Sequence, residues 1–170
     1  MDLTRYIRTI PDFPQEGIMF KDITPLLGDP SAFRFVIDTF AERYQNQNID
    51  AVIGIDARGF IFASALAYRI GVSLIPVRKP GKLPYQTIEE HYDLEYGSNT
   101  LAIHEDAIHK EAKIVICDDL IATGGTLTAT INLVEKLGGE VVSIATLIEL
   151  AFLNGRRNFS KYDIYSLIEF

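Results

Sequence analysis

The chain has 170 residues, 48% of them hydrophobic and 23% charged, a composition that supports one packed domain and excludes disorder. A formal net charge of −7 lacks the basic field that non-specific nucleic-acid binding needs, and one cysteine, Cys117, excludes an internal disulfide or a zinc site of several cysteines. The first residues lack the basic and apolar regions of a secretory leader, and no apolar run approaches the roughly 20 residues of a membrane span, so a soluble cytoplasmic protein is expected.

In chain order, Leu3, Tyr6, Ile7 and Ile10 recur at helical spacing and predict a short amphipathic helix. The turn-rich stretch Pro11-Asp12-Phe13-Pro14-Gln15-Glu16-Gly17 breaks regular structure. Asp29-Pro30 is a start signal for a second helix with Phe33, Val36, Ile37, Phe40 and Tyr44 on one stripe. Val- and Ile-rich runs predict buried strands at 51–55, 73–77, 113–117 and 141–148. Helical patterns lie between them, at 60–70 before Gly71 and at 126–137 before Gly138-Gly139. This rhythm predicts an α/β domain with a mostly parallel central sheet flanked by helices.

Residues 78–106 interrupt the rhythm, and so long a connection is usually functional or mobile. Its second half alternates, with Tyr92, Leu94 and Tyr96 against His91, Asp93 and Glu95, then the turn Gly97-Ser98-Asn99. That pattern predicts a β-hairpin. Residues 162–168 predict a final strand.

The segment Ile116-Cys117-Asp118-Asp119-Leu120-Ile121-Ala122-Thr123-Gly124-Gly125-Thr126 carries the strongest chemical signal. A buried strand ends in two acids, and a loop of small residues then opens a helix. Ala122, Thr123, Gly124, Gly125 and Thr126 can turn backbone N–H groups and two hydroxyls onto one phosphate monoester, at the positive end of the helix. Asp118 and Asp119 would repel that phosphate, but they suit neutral hydroxyls beside it. A sugar with a phosphate and vicinal hydroxyls fits both halves. No Gly-Lys-Ser/Thr and no G-x-G-x-x-G is present, so neither a Walker loop nor a dinucleotide fingerprint explains the segment.

A second strand-to-helix junction, Gly54-Ile55-Asp56-Ala57-Arg58-Gly59-Phe60, places the cation Arg58 beside backbone that Gly59 leaves approachable. Arg78, Lys79 and Lys82 form a basic patch on an acidic chain. His91, His104 and His109 have no metal-ligand spacing and are assigned to the surface, and Cys117 is expected to pack rather than react.

The acidic segment resembles the phosphoribosyl-pyrophosphate (PRPP) motif of the type I phosphoribosyltransferases. The resemblance runs essentially end to end and narrows to members that act on adenine. It implies a single domain over residues 1–170, with a small N-terminal hood at 1–30 and a flexible lid at 78–106. It implies that Asp118 and Asp119 hold the ribose hydroxyls and that residues 122–126 hold the 5′-phosphate. Ala57, Arg58 and Gly59 would form the pyrophosphate loop, with a non-proline cis peptide at Asp56–Ala57. Arg78, Lys79 and Lys82 would add positive charge from the lid, some of it across a dimer interface. Phe20 and Leu120 would sandwich the base, while backbone groups of Met19 and Lys21 read its edge. Glu95 would handle the purine proton, and with Arg58 it is the candidate catalytic residue. The implied reaction converts adenine and PRPP to AMP and diphosphate, with Mg²⁺ carried mainly by PRPP, no protein metal cage, and a homodimer as the working unit. Two alternatives remain at this point: transfer to hypoxanthine, guanine or xanthine, and a non-catalytic PRPP-responsive regulator that binds nucleic acid. The net charge and the lack of spare length speak against the second.

Overall fold

The structure is a computed structural model and describes residues 1–93 and 98–170. Its first turn is a 3-10 helix, Leu3–Tyr6, capped by the Asp2 carboxylate, which accepts from the Thr4 N–H at 3.2 Å. The predicted helix goes no further. Arg8–Ile10 (β1) pairs antiparallel with Phe20–Asp22 (β2), Ile10 opposite Phe20. The β-branched Thr9 and Ile10 favour this ribbon once the turn below them brings β2 alongside. Leu3 and Ile7 are buried nevertheless, so their spacing reports core contact without a continuous helix.

Thr24–Gly28 (α1) leads into Pro30–Tyr44 (α2), whose first N–H groups, those of Ser31 and Ala32, donate to the Asp29 carboxylate at 2.9 Å each. There follow Ala51–Ile55 (β3), Gly59–Ile70 (α3) and Ser73–Val77 (β4). Thr87–Asp93 (β5) and Ser98–His104 (β6) form the expected antiparallel hairpin, but Ser98 and Asn99, expected in its turn, are the first residues of β6 because they pair with Asp93 and Tyr92. Lys113–Ile121 (β7), Gly125–Lys136 (α4), Glu140–Glu149 (β8), the 3-10 turns Ala151–Leu153 and Gly155–Phe159, and Asp163–Glu169 (β9) complete the chain.

The central sheet has the order β4-β3-β7-β8-β9, parallel throughout. The apolar runs of β3, β7 and β8 are buried on both faces because alternate residues serve two cores, whereas the run of β4, expected to be buried, leaves Ser73 and Leu74 exposed because β4 is an edge strand. Val52, Val115 and Cys117 pack with α2 and α3 on one face. Ile53, Ile55, Ile114 and Ile116 pack with α4 and with Leu101 and Ile103 of the hairpin on the other. Cys117 is fully buried, which pushes its thiol pKa up and fits the expected packing role.

From β3 the chain goes outward to β4 and then returns to β7 on the other side of β3. The winding therefore reverses between β3 and β7, the position where α/β sheets open a crevice at their carboxyl ends. The expected strand end at Cys117 is corrected here. Pairing with β3 stops at Gly54–Cys117, but β8 keeps pairing with β7 as far as Ile121–Glu149. Asp118 and Asp119 thus lie within the strand, on a stretch supported from one side.

Candidate active site

The crevice holds a cavity of about 280 Å³. Its walls are Ile55, Asp56, Ala57 and Arg58 from the end of β3, and residues 118–127 from the end of β7 through the first turn of α4. The two junctions singled out in the sequence therefore meet at one place. Ala57, Arg58, Asp118, Asp119, Leu120 and residues 122–126 all face it. The Asp56–Ala57 peptide is cis, as expected.

The acids are held in a costly state. Burial pushes the Asp118 carboxyl well above the usual carboxylate range, and the neighbouring Asp119 charge pushes it further. Burial also raises Asp119, with the Arg58 guanidinium pulling the other way. Arg58 Nη2 lies 2.8 Å from Asp119 Oδ2, yet the approach lacks hydrogen-bond geometry. That buried oxygen has no hydrogen-bond partner among the described residues. An unsatisfied carboxylate oxygen in a cavity wall is a place for a donor such as a sugar hydroxyl. Gly59 makes this arrangement possible. A methyl group there would lie 2.8 Å from Asp118 Oδ1 and 3.0 Å from the Cys117 carbonyl oxygen. The close approach expected at Gly59 is thus to Asp118, under the cavity wall.

Opposite the acids lies the cradle. Gly124 takes a left-handed φ of 91°, and α4 begins with no side-chain cap, so its positive end stays available to an anion. The N–H groups of Thr123 and Gly124 make no backbone hydrogen bond among the described residues.

Arg58 also joins the cavity to the N-terminal ribbon. Its guanidinium carbon sits 5.1 Å from the Phe20 ring centroid, and its Nη1 donates to the Lys21 carbonyl at 3.5 Å. The Lys21 ammonium turns away, donating to Thr9 Oγ1 at 3.0 Å and lying 3.8 Å from the Phe170 ring centroid. Only the Lys21 backbone is thereby directed toward Arg58. Phe20 and Lys21 adjoin the site through Arg58 without lining the cavity itself, and Met19 is exposed. Phe13 meets Phe20 edge-on at 5.0 Å.

The basic patch divides. Arg78 Nε donates to Asp56 Oδ2 at 2.9 Å, and its Nη1 donates to the Lys82 carbonyl at 3.3 Å. Arg78 therefore braces the β3 loop, while Lys79 and Lys82 are exposed. Glu95 lies outside the described residues. Among the described residues no three His, Cys, Asp or Glu side chains cluster as a metal site, and no helix is long and apolar enough to cross a membrane.

Sequence reasoning passed over Asp56 as an anchor for Arg78, although Asp56 stands inside the junction motif. It also passed over residues 155–159, which back the cradle and carry no motif.

The description of the phosphoribosyl transferase domain matches residues 26–169. The chain belongs to the phosphoribosyl transferase family. An adenine phosphoribosyltransferase of Chloroflexus aurantiacus is 56% identical over 169 residues, covering 99% of this chain and 98% of the relative. The crystal structure of adenine phosphoribosyltransferase from Thermoanaerobacter pseudethanolicus superposes with a TM-score of 0.96 at 51% identity, covering 99% of this chain and 98% of the other. The Saccharomyces cerevisiae enzyme, solved with an imino-altritol bisphosphate and adenine, superposes with a TM-score of 0.92 at 37% identity, covering 98% and 96%. The parallel sheet with flanking helices described above is thus the phosphoribosyl transferase fold.

Proposed function

We propose that the protein transfers the phosphoribosyl group of PRPP to adenine, giving AMP and diphosphate in cytoplasmic purine salvage. The observation that carries this reading is a cavity in which two adjacent aspartates, one of them with a buried oxygen that has no hydrogen-bond partner among the described residues, face an uncapped helix start. Full-length similarity to adenine phosphoribosyltransferases supports the choice of base.

In this reading Asp118 and Asp119 accept hydrogen bonds from the ribose 2′- and 3′-hydroxyls, and residues 122–126 hold the 5′-phosphate. Ala57 and Arg58 hold the diphosphate, Gly59 lets Asp118 pack close behind them, Arg78 braces their loop through Asp56, and Lys79 and Lys82 add positive charge. Phe20 and Leu120 flank the adenine ring, and the Met19 and Lys21 backbones discriminate a 6-amino from a 6-oxo purine by fixed donors and acceptors. The C1′–oxygen bond breaks with its electron pair leaving on diphosphate, the N9 lone pair forms the new bond to C1′, and the N9 proton passes to the Glu95 carboxylate. The chain's contribution is alignment of the two substrates and stabilisation of the departing charge by Arg58.

The donor set suits a Mg²⁺ ion that arrives on PRPP: two adjacent carboxylates in the cavity wall, one with an unsatisfied oxygen. Asp118 and Asp119 are the residues that would help hold that ion, and it would neutralise diphosphate charge.

Turnover with adenine, hypoxanthine, guanine and xanthine in one assay tests the reading. Adenine alone is expected to give nucleotide, and efficient use of a 6-oxo purine overturns the base assignment. In the same assay Glu95→Gln should lower kcat about 100-fold and leave the KM for adenine in place. A change in KM alone assigns Glu95 to positioning.

A further inference from the structure

The phosphate cradle is not self-supporting. Its carbonyl side is covered by the short helix Gly155–Phe159. A methyl group on Gly155 would lie 2.1 Å from the Ala122 carbonyl oxygen, so that oxygen abuts Gly155 directly. Asn158 Nδ2 donates to the Thr123 carbonyl oxygen at 3.3 Å. The buried Phe159 ring lies under Gly124, where an added methyl would meet it at 2.6 Å.

In a trans peptide the C=O of one residue and the N–H of the next point in opposite directions. Turning the Ala122 and Thr123 carbonyls toward residues 155–158 therefore turns the Thr123 and Gly124 N–H groups toward the cavity. The helix that does this is itself pinned. Arg156 Nε donates to both Glu149 carboxylate oxygens, at 2.9 and 3.0 Å, and Nη1 donates to the Ile164 carbonyl at 3.2 Å. Glu149 is the register partner of Ile121, the last residue of β7 before the cradle.

We propose that Gly155, Asn158 and Phe159 are positioning residues for phosphoribosyl transfer, holding the carbonyl side of loop 122–124 so that its N–H groups converge on the 5′-phosphate. The inference rests on the functional reading above. It adds a part of the chain that lies outside the cavity and touches no substrate.

The test compares full-length wild-type protein with Gly155→Ala, Asn158→Ala and Asn158→Asp, using ribose 5-phosphate binding by calorimetry and KM for each substrate. Gly155→Ala pushes the loop forward and should raise the KM for PRPP about tenfold or more, with the ribose 5-phosphate Kd rising in step. The KM for adenine should stay within about twofold, because the base pocket is untouched. Asn158 is exposed, so its variants are expected to fold. Asn158→Ala should raise the KM for PRPP about threefold, the loss of one hydrogen bond. Asn158→Asp should raise it further, since a carboxylate cannot donate and repels the Thr123 carbonyl.

If Gly155→Ala fails to fold, the Asn158 pair decides alone. An unchanged KM for PRPP in the folded variants overturns the proposal. So does an equal rise for both substrates, which marks residues that merely support folding. A wild-type protein that does not bind ribose 5-phosphate overturns the functional reading, and this proposal with it.

Discussion

Asp118 shows most directly the conflict between stability and function at a single side chain. Its folded-state carboxyl titrates well above the usual range, for burial first and the Asp119 charge second. Between the unfolded value and this raised value the folded protein binds the extra proton, so stability falls as pH rises through that interval. The penalty is complete above the folded-state value and absent below the unfolded one. Asp118→Asn should therefore raise the Tm of the ligand-free protein near neutral pH by about 3 °C, the effect of a 1 kcal/mol change in a chain of this size. The gain should vanish once acid protonates both states. Thermal melts across that range check it, and a gain that persists in acid would falsify the burial argument. The Asp118→Asn, Asp119→Asn double variant should lose about a thousandfold in kcat/KM for PRPP, two charge-assisted hydrogen bonds to ribose. At this scale the sequence was readable where chemistry is unusual. Two acids after an apolar strand have few purely structural uses, so Asp118 and Asp119 stand out. Gly59 stands out too, but its true neighbour is Asp118, a contact that exists only once β3 and β7 lie side by side. Asn158 is illegible, since one asparagine in an irregular segment has no spacing that betrays a loop 35 residues earlier.

Among the elements, the hairpin was legible from its alternation, and its docking was not. Glu90 on β5 accepts from Asn132 Nδ2 of α4 at 2.8 Å and forms an ion pair with Lys136. This clamp fastens the hairpin stem to the helix whose first turn forms the cradle, so motion in the stem is linked to the site. The hydrogen bond from Lys136 holds the Glu90 carboxyl below its ordinary value, with that from Asn132 next. A depressed carboxylate stabilises above its unfolded value and loses that contribution as pH falls through the folded one. Glu90→Gln should therefore speed amide hydrogen exchange in β5 and β6 about threefold to tenfold at neutral pH. The difference from wild type should shrink in acid, where Glu90 is protonated in both states. Equal exchange in the two proteins at neutral pH would show that apolar packing by Leu101 and Ile103 holds the stem unaided. The same distinction explains the two element errors. Ile7 and Ile10 keep helical spacing, yet Ile7 precedes the ribbon and Ile10 lies in it opposite Phe20, because pairing with β2 competes with local preference. The strand at Cys117 runs on to Ile121 because β8 supplies the partner, Glu149 lying opposite Ile121.

For the molecule as a whole, the long Val- and Ile-rich runs announced a sheet buried on both faces, and the net charge of −7 required any anionic ligand to be held by a local cradle. What a single chain's sequence cannot encode in its own periodicity is which apolar side chains the fold leaves on its outside. Tyr68 is 89% exposed, Ile61 lies two turns earlier on the same side of α3 at 37%, and Leu74 on the sheet's edge strand β4 is 44% exposed. An unpaired strand edge beside large apolar side chains is a feature that soluble proteins normally cover. If the homodimer expected from the sequence forms through this edge, two-fold symmetry sets the same α3 and β4 surface on each side. Sedimentation should then give twice the 19.0 kDa chain mass for the wild-type protein. Introducing Tyr68→Asp with Leu74→Asp buries two like charges against each other across the axis and should weaken association about 100-fold or more. The variant should sediment at the mass of one chain while keeping its far-ultraviolet spectrum, since neither side chain contributes to the two cores. A wild-type protein that sediments as a single chain at all concentrations, or a doubly substituted one that remains dimeric, removes this surface from the assembly.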